Sequence, residues 1–451
     1  MTLARRFVNT AEVALLARLE RGVPYRSSEW IARRQARRVR SIVAHAYGSV
    51  PYYAQTMREL RLTPRDIRTA NDLTALPLID SSVVRADEAK FLSSHIPPAR
   101  RRALHTSASH GGHRGAIWWD TRSLLHKLAY LERDRAVIGR LIGRGIGHRQ
   151  LYLLPRGAQS FLLRAWWSEW TVAPPRLATR VVEPADTPYE TIRDRIRAEL
   201  PDVVYSYGSF GEHFARWLAA QGERIDGVRV WCYGGDGMTA PARALLEDRT
   251  GAMVYSTYQA SETGRLGFEC ERRSGWHLNV DLCAVRLVGA DGVTVPAGAE
   301  GEVVVSNLHN RAMVLLNYRL GDRAILADAP CACGRTLPVL RELLGRRTEV
   351  VQLADGRVIS GLVLEAVCMH AFEGTLRSQL VPEGPGRVRW RAVLAPGVDV
   401  DALARRVHAA ISESFGEALT ATFEPVAEIP LTAEGKLLRV VPANRAAMVA
   451  T

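Results

Sequence analysis

Lysine is almost missing from this chain of 451 residues: Lys and Arg together fill 60 positions, and only Lys90, Lys127 and Lys436 are lysines. Long apolar runs are missing as well. Glu12 and Arg18 interrupt the hydrophobic N-terminal stretch, and no later run is long enough to span a bilayer. The sequence therefore predicts a cytoplasmic protein with no signal peptide and no membrane partner.

Acidic residues are too few to balance the arginines, which leaves a formal net charge of +13. Such a charge brings a nucleic-acid partner into consideration. The densest basic stretch, residues 31–47, carries apolar residues at helical spacing with arginines between them. This pattern predicts an amphipathic helix with a solvated basic face, with Ser28 as its N-cap. Because the other arginines are scattered, we expect no nucleic-acid partner.

The order of helix and strand patterns predicts an α/β protein of two or three domains. From about residue 185, buried strands such as PDVVYSYG and VRVWCYGG alternate with helices, which indicates a parallel sheet. Residues 295–330 have the pattern of a smaller antiparallel unit. Beyond about residue 350, strand and helix patterns predict a small α+β domain. We therefore expect a large N-terminal domain over 1–345 and a small C-terminal domain over 346–451.

Several motifs carry groups that suit nucleotide chemistry. The loop HTSASHGGHRGA, residues 105–116, offers hydroxyls and backbone N–H groups to phosphate oxygens. The YQASE motif places an aromatic ring close to Glu262, which suits a stacked base and a metal-bound phosphate. The NYRLGD motif ends in Asp322, whose carboxylate can accept hydrogen bonds from ribose hydroxyls.

The order of these motifs resembles that of the adenylate-forming superfamily of acyl and aryl ligases. The series runs from the phosphate loop through YGGD, YQASE, NYRLGD and GRRTE to LTAEGK, over about residues 40–440. Within the superfamily the chain looks most like the phenylacetate–CoA ligase-like branch. The marks of that branch are VPYY at 50–53, AEGEVVVSNL, and CACGRTLPVLRELLGRR at 331–347.

The resemblance implies roles for individual residues. Those implied to hold the ATP phosphates are Thr106, Ser107, Ser109, Gly111 and Gly112. Those implied to frame the adenine are Gly234, Gly235, Asp236 and Tyr258. The resemblance further implies that Glu262 holds Mg²⁺ and that Asp322 and Arg346 bind the ribose.

The resemblance also implies a reaction in which a carboxylate first forms an adenylate with loss of pyrophosphate. The small C-terminal domain is then expected to turn, and CoA takes the acyl group; an amine or a carrier protein remains an alternative acceptor. Lys436, in the loop LTAEGK, would stabilise the charge that builds up as the adenylate forms. A compact ammonium suits this task better than a guanidinium, which explains a lysine in a chain so poor in lysine.

Some positions depart from the motifs of the superfamily. In the phosphate loop, Ala108, His110 and His113 stand where Gly, Thr and Pro are usual. Gln259 and Leu320 alter two later motifs. Because an alanine restricts the close approach of backbone to phosphate that glycine permits, adenylation is still expected, while its efficiency and the second half-reaction stay open. A basic nucleic-acid-binding protein on a degenerate ligase scaffold remains the alternative from a different class, and a homodimer is left open.

Two further sets of residues are candidates for binding. Cys331 and Cys333 form a C-x-C motif that, together with Cys270 and His277, offers the Cys₃His ligands of a structural zinc; unmetallated thiols are the alternative. Aromatic residues near the expected acyl pocket favour a flat aromatic or aryl-acetic acid as the small-molecule substrate. These aromatic residues are Tyr205, Tyr207, Phe210 and Trp231.

Overall fold

The structure, a computed structural model, describes residues 1–105, 115–145, 147–154, 158–172, 179–182, 187–368, 371, 373–432 and 436–441. Its α-helices are α1 Leu3–Gly22, α2 Ser28–Ser49, α3 Pro51–Glu59, α4 Ser81–Ala86, α5 Thr121–Tyr130, α6 Glu132–Ile142, α7 Gln159–Trp170, α8 Tyr189–Glu199, α9 Gly208–Ala220, α10 Ala240–Thr250, α11 Gly361–Cys368 and α12 Val400–Phe415. No helix within these ranges is long and apolar enough to cross a bilayer.

The strands come mostly from the second half of the chain. They are β1 Arg101–His105, β2 Ala116–Asp120, β3 Gln150–Leu153, β4 Thr179–Val182, β5 Val203–Ser206, β6 Val230–Gly234, β7 Met253–Ala260, β8 Gly264–Phe268, β9 Trp276–Leu278, β10 Cys283–Val288, β11 Glu300–Asn307, β12 Tyr318–Leu326, β13 Val339–Arg346, β14 Val350–Gln352, β15 Val358–Ser360, β16 Thr375–Gly384, β17 Arg387–Leu394 and β18 Thr420–Pro425. This mixture of helices and sheet confirms the predicted α/β class.

The chain forms two compact units. The first comprises Met1–Ile146, Gly157–Arg176 and Ser256–Glu342. Its N-terminal helix α1 packs against α5, α6 and α7. Its sheet has the order β10-β11-β12-β13-β9-β8-β7, and the pairs β10–β11, β11–β12 and β7–β8 are antiparallel. The antiparallel unit predicted over residues 295–330 is therefore present as part of a larger sheet.

The second unit comprises Gly147–Arg156, Leu177–Tyr255 and Leu343–Thr451. It contains the order β6-β5-β3-β4, in which each neighbouring pair is parallel, as the alternation of strands and helices predicts. A hydrophobic cluster that includes Ile192, Phe214 and Trp231 joins helices α8 and α9 to these strands.

The C-terminal part of the second unit has a core of its own. Strand β17 lies between β16, which is antiparallel to it, and β18, which is parallel to it. Leu364 of α11 and Val407 of α12 pack into a buried cluster with Trp390 of β17. The predicted α+β character of this region is present, while the division of the chain at 345/346 stays a prediction.

The basic helix α2 has the amphipathic pattern predicted for it. Ile31, Val39 and Val43 are buried. The helix begins one residue earlier than predicted, because the Ser27 side chain, rather than that of Ser28, accepts the hydrogen bond from the Trp30 N–H. Ala32, one of the apolar residues at helical spacing, is exposed, whereas Val39, Val43 and Ala46 are buried as the pattern predicts.

Candidate functional site

Lys436 occupies a defined position in the second unit. Its Nζ donates a hydrogen bond of 2.7 Å to the carbonyl oxygen of Gly235 and lies 5.3 Å from the ring centroid of Tyr207. The backbone N–H of Thr432 donates to the Lys436 carbonyl oxygen at 2.8 Å, and the Lys436 N–H donates back to the Thr432 hydroxyl. We call Lys436, Gly235 and Tyr207 the Lys436 site.

Glycine is required at position 235. Its φ of +93° lies in the left-handed region, which side chains rarely adopt. A Cβ there would lie 3.0 Å from the Tyr207 ring and 3.7 Å from Lys436 Nζ. A side chain at this position would therefore press on both other members of the Lys436 site. Gly234, which precedes it, is the last residue of β6.

Asp236 has a structural partner that the sequence did not reveal. Its Oδ1 accepts hydrogen bonds from the N–H groups of Gly208 and Ser209, at 2.5 and 3.3 Å, and its Oδ2 accepts the Ser209 hydroxyl at 2.5 Å. These N–H groups belong to the first turn of α9, whose N-cap residue Tyr207 provides no capping side chain. The carboxylate of Asp236 therefore caps α9 from the loop after β6.

Three residues after Lys436, a buried guanidinium anchors the same segment. Arg439 donates to the Glu212 carboxylate at 2.8 Å and to the Gly237 carbonyl oxygen at 3.0 Å, and it also pairs with Glu365. Burial alone would raise the pKa of Glu212, but the positive charges of Arg439 and Arg216 lower that pKa to about 2. We call Arg439, Glu212 and Glu365 the Arg439 cluster. It fixes the chain immediately beyond Lys436.

In the first unit, the carboxylates predicted to bind metal and ribose each have a tyrosine partner. The Tyr258 hydroxyl donates to Asp322 Oδ2 at 2.7 Å. Glu262 lies in the turn between β7 and β8, and the Tyr318 hydroxyl is 3.4 Å from its Oε1. The Asn307 side chain holds this turn by donating to the Glu262 carbonyl oxygen at 2.7 Å. The structure thus brings Tyr258 together with Asp322, two residues to which nucleotide contacts were assigned.

Asn317 holds the start of β12, the strand that carries Asp322. Its backbone is left-handed, with φ 58°, a conformation that asparagine tolerates better than most residues. Its amide nitrogen donates to the Leu76 carbonyl oxygen at 2.7 Å, and its amide oxygen accepts from Arg286 at 2.8 Å. Its backbone N–H donates to the Ser306 hydroxyl at 2.8 Å.

The aromatic residues predicted to contact the substrate differ in accessibility. Tyr205 is half-buried and stacks on Tyr152, with 4.6 Å between ring centroids. Tyr207 is half-buried beside Lys436. Phe210 and Trp231, by contrast, are buried in the hydrophobic core of the second unit. A substrate can reach the two tyrosines more easily than the two core residues, and all four assignments stay predictions.

The remaining predicted positions receive less structural support. Thr106, Ser107, Ser109, Gly111 and Gly112, with the altered residues Ala108, His110 and His113, lie outside the described residues. Arg346 is half-buried at the end of β13, Gln259 is exposed on β7, and Leu320 is half-buried on β12. The ATP-binding assignments stay predictions.

Cys270, His277, Cys331 and Cys333 converge in the first unit and form a Cys₃His cluster. Their ligand atoms all lie within 4.8 Å of one another. Sγ of Cys270 is 3.7 Å from Sγ of Cys331, and Sγ of Cys333 is 3.3 Å from Nε2 of His277. Two thiolates on one tetrahedral zinc, with Zn–S bonds of about 2.3 Å, lie about 3.8 Å apart. The measured spacing therefore fits a zinc ion.

Hydrogen-bonding groups lie next to two sulfur atoms of the Cys₃His cluster. The Arg272 N–H donates to Cys270 Sγ at 3.4 Å, and the Ser274 hydroxyl is 2.9 Å from Cys331 Sγ. Burial, followed by the charge of Arg335, lowers the pKa of His277 to about 4. The imidazole is therefore neutral near pH 7, the form in which histidine binds metals.

Comparison with known proteins tests the predicted resemblance. No protein-family model matches the chain. The phenylacetate-coenzyme A ligase of Thermus thermophilus is 25% identical to it over 434 residues, which cover 90% of this chain and 95% of that enzyme. The predicted resemblance to the phenylacetate–CoA ligase-like branch of adenylate-forming ligases is confirmed.

Solved structures of ligases share the fold. A 2-hydroxyisobutyryl-CoA ligase in its postadenylation state aligns with a TM-score of 0.74 and 15% identity, covering 94% of this chain and 92% of that one. The amide bond synthetase McbA from Marinactinospora thermotolerans aligns with a TM-score of 0.52 and 16% identity, covering 78% and 70%. At these identities the likeness concerns the fold.

Sequence reasoning missed the residues that hold the functional side chains. Arg439 follows the LTAEGK loop in an Arg-rich chain, so nothing marked it as buried. Asn307 lies within AEGEVVVSNL, which was used only to identify the branch, and Tyr318 lies within NYRLGD, where only Asp322 was given a role. A polar residue at the end of an apolar strand, as in EVVVSN, was the one available indication for Asn307.

Proposed function

We propose that the chain is an AMP-forming ligase that activates an aromatic carboxylic acid as its acyl-adenylate and transfers the acyl group to CoA. The observation that carries this proposal is the Lys436 site. There a lysine in a chain nearly free of lysine is held at 2.7 Å on the Gly235 carbonyl, at the end of a parallel strand. Ligands of α/β proteins bind at the carboxyl ends of such strands.

The proposed chemistry has two steps. A carboxylate oxygen of the acid bonds to the α-phosphorus of ATP, the bond from this phosphorus to the bridging oxygen breaks, and pyrophosphate leaves. The thiol sulfur of CoA then bonds to the acyl carbon and loses its proton to solvent, while the bond from this carbon to the phosphate oxygen breaks and AMP leaves. In the first step Lys436 would stabilise charge on the phosphoryl and carboxylate oxygens.

Two carboxylates would serve the nucleotide. Glu262 would hold Mg²⁺, which supplies positive charge to the phosphates. Asp322, which the Tyr258 hydroxyl orients, would accept hydrogen bonds from the ribose. The order of the motifs assigns Arg346 to the same sugar. The Tyr258–Asp322 hydrogen bond supports this assignment because it fixes the orientation of the carboxylate.

We also propose one structural zinc in the Cys₃His cluster. Three thiolates and one imidazole close a tetrahedral site, and a closed zinc site stabilises the fold and has no open position for a substrate. The ion would join the end of β8, strand β9 and the turn that carries Cys331 and Cys333.

The acceptor and the cellular setting are further parts of the proposal. The likeness to a phenylacetate-coenzyme A ligase along nearly the whole chain favours CoA over an amine or a carrier protein. McbA, which makes amide bonds, aligns over a smaller share of both chains, so the amine remains the second candidate acceptor. A cytoplasmic location and the possibility of a homodimer stay predictions.

Pyrophosphate release from ATP with a panel of carboxylic acids tests the function. Benzoates and phenylacetates are expected to give release that depends on Mg²⁺, and acyl-CoA is expected to form only when CoA is added. Highest activity with long-chain fatty acids and none with aryl acids would contradict the substrate class. Salt-sensitive DNA binding without any acid-dependent pyrophosphate release would favour the nucleic-acid alternative.

A further inference from the structure

Helix α1 of the first unit buries a polar face and exposes an apolar one. It packs against α5, α6 and α7, and its two buried residues are Asn9 and Glu20. Asn9 donates a hydrogen bond of 3.0 Å to the carbonyl oxygen of Trp170 on α7. Glu20 pairs with Arg133 of α6 at 2.5 Å. Large apolar residues of the opposite face are each 56–62% exposed: Leu3, Phe7, Val8, Leu15 and Leu19. Because a surface helix normally turns its apolar face toward the core, this outward apolar face marks an interaction site.

The exposed face contains a row of apolar residues four positions apart, which we call the α1 stripe: Leu3, Phe7, Ala11, Leu15 and Leu19. Ala11 is exposed like the other four. Residues four apart form the ridge by which two helices most commonly pack against each other. With a rise of 1.5 Å per residue, the stripe is about 24 Å long. Leu162 of α7, the helix beside α1, is also exposed and adds apolar surface. The α1 stripe therefore suits contact with another helix.

The α1 stripe has the same pattern in both directions from Ala11. Phe7 and Leu15 lie four positions away, and Leu3 and Leu19 lie eight positions away. A twofold axis through Ala11 would set Phe7 of one copy against Leu15 of a second copy. The same axis would set Leu3 against Leu19. The small side chain of Ala11 at the axis would let the two helices approach closely. The stripe is therefore complementary to itself, as the contact surface of a twofold-symmetric dimer has to be.

The charged residues of α1 are compatible with the same axis. Arg5 of one copy would lie opposite Ala17 of the other, and Arg18 would lie opposite Ala4. The other charged residues of the helix would also lie opposite uncharged ones: Arg6, Glu12, Glu20 and Arg21. Like charges that oppose each other across an interface are unfavourable, and this symmetry avoids them.

We propose that the α1 stripe binds the α1 stripe of a second copy of this chain, so that two chains cross at Ala11 in a twofold-symmetric dimer. The other candidate occupant of an exposed apolar helix face is a lipid surface. A bilayer imposes no order on apolar residues along a helix, whereas symmetry about one residue has meaning only for an identical partner. The symmetry of the stripe therefore favours the second copy. The inference does not depend on the proposed ligase function.

Charges placed at the twofold axis test the proposal. Ala11→Glu and Ala11→Arg each put two like charges face to face in a dimer of that variant. An equal mixture of the two variants can instead pair the glutamate of one copy with the arginine of the other. Val293→Glu is the matched control, at an apolar residue between β10 and β11 that is 63% exposed. Sedimentation equilibrium measures the dimer, and circular dichroism checks that each variant is folded.

The wild type and Val293→Glu are expected to be dimers at micromolar concentration. Each Ala11 variant alone should show a dimer dissociation constant raised by roughly 100-fold, because like charges then oppose each other across the interface. The mixture of both variants should recover dimers. A monomeric wild type overturns the proposal, and so do Ala11 variants that remain dimeric alone or a mixture that stays monomeric.

Ala11→Cys provides a milder variant for the case that a charge at this position prevents folding. Two cysteines at a twofold axis between close helices can form a disulfide. Oxidised glutathione should therefore link two copies of Ala11→Cys and leave the wild type and Val293→Cys unlinked; equal linking of all three proteins overturns the proposal. Binding of a monomeric wild type to phosphatidylglycerol vesicles, lost in Ala11→Glu, would overturn it as well and assign the stripe to a lipid surface.

Discussion

The Cys₃His cluster and the Lys436 site are both small polar constellations, yet the chain holds them by different means. The cluster takes its residues from strand β9 and from the segments that follow β8 and β12, all within one unit. Lys436 extends from a short segment that is anchored by the Arg439 cluster. The zinc site proposed for the cluster would need fixed distances between its ligand atoms, whereas the role proposed for Lys436 would require its side chain to reach the reacting groups and then withdraw.

Loss of a zinc ligand should have the largest effect on the folded protein. Cys333→Ala is expected to release the metal and lower the free energy of unfolding by several kcal/mol, because structural zinc contributes on the order of 10 kcal/mol of binding that is also folding free energy. Elemental analysis measures the zinc content, and calorimetry measures the loss of stability. Cys283→Ala, at a buried cysteine outside the cluster, should keep its zinc. A wild type that is folded and active without metal would contradict the zinc proposal.

Loss of the buried arginine should affect both stability and rate. Arg439→Met leaves Glu212 and Glu365 buried without their shared cation, a change that costs about 3–5 kcal/mol. It should also slow adenylation by roughly tenfold in the protein that remains folded, since misplacing a catalytic group by a small distance is costly. Denaturant unfolding and single-turnover adenylation are the measurements.

Arg133→Met is the matched control for Arg439→Met. Arg133 is fully buried in the first unit and pairs with Glu20 and Asp281 at 2.5 and 2.8 Å. Its loss should lower stability to a similar degree and leave the adenylation rate of the folded protein unchanged. Equal slowing in both variants would show that Arg439 does not position Lys436.

Lys436→Ala should affect the rate alone. The expected loss in adenylation is about 10²–10³-fold, or about 3–4 kcal/mol in the barrier, the scale of one transition-state donor. Lys436→Arg should be nearly as slow, because the planar guanidinium of arginine replaces the compact ammonium of lysine. Melting temperature and transfer from chemically made acyl-adenylate should be retained, with Lys90→Ala as the control. If the rates of adenylation and of acyl transfer fall equally, Lys436 has no special role in adenylation.

The sequence predicted the helices and strands better than it predicted the contacts that hold the functional residues in place. Short apolar runs identified the parallel strands around VVYS and VWCYG, whose residues are nearly all buried. Helical periodicity identified the helix that ends before Gly251, whose buried residues lie on one face. Motif order pointed to Asp322 and Lys436. It did not show that Asp236 caps α9 or that Arg439 is buried, since both depend on contacts between segments far apart in the chain.

Asn317 is one of the residues that hold β12 in its register. Successive side chains of a strand point to opposite faces, so a slip of one residue against β11 would turn every side chain of β12 around. Tyr318 would then face away from Glu262, and Asp322 away from Tyr258. The hydrogen bonds of Asn317 to Leu76, Arg286 and Ser306 form only in the observed alignment, and they therefore favour the pairing of both carboxylates.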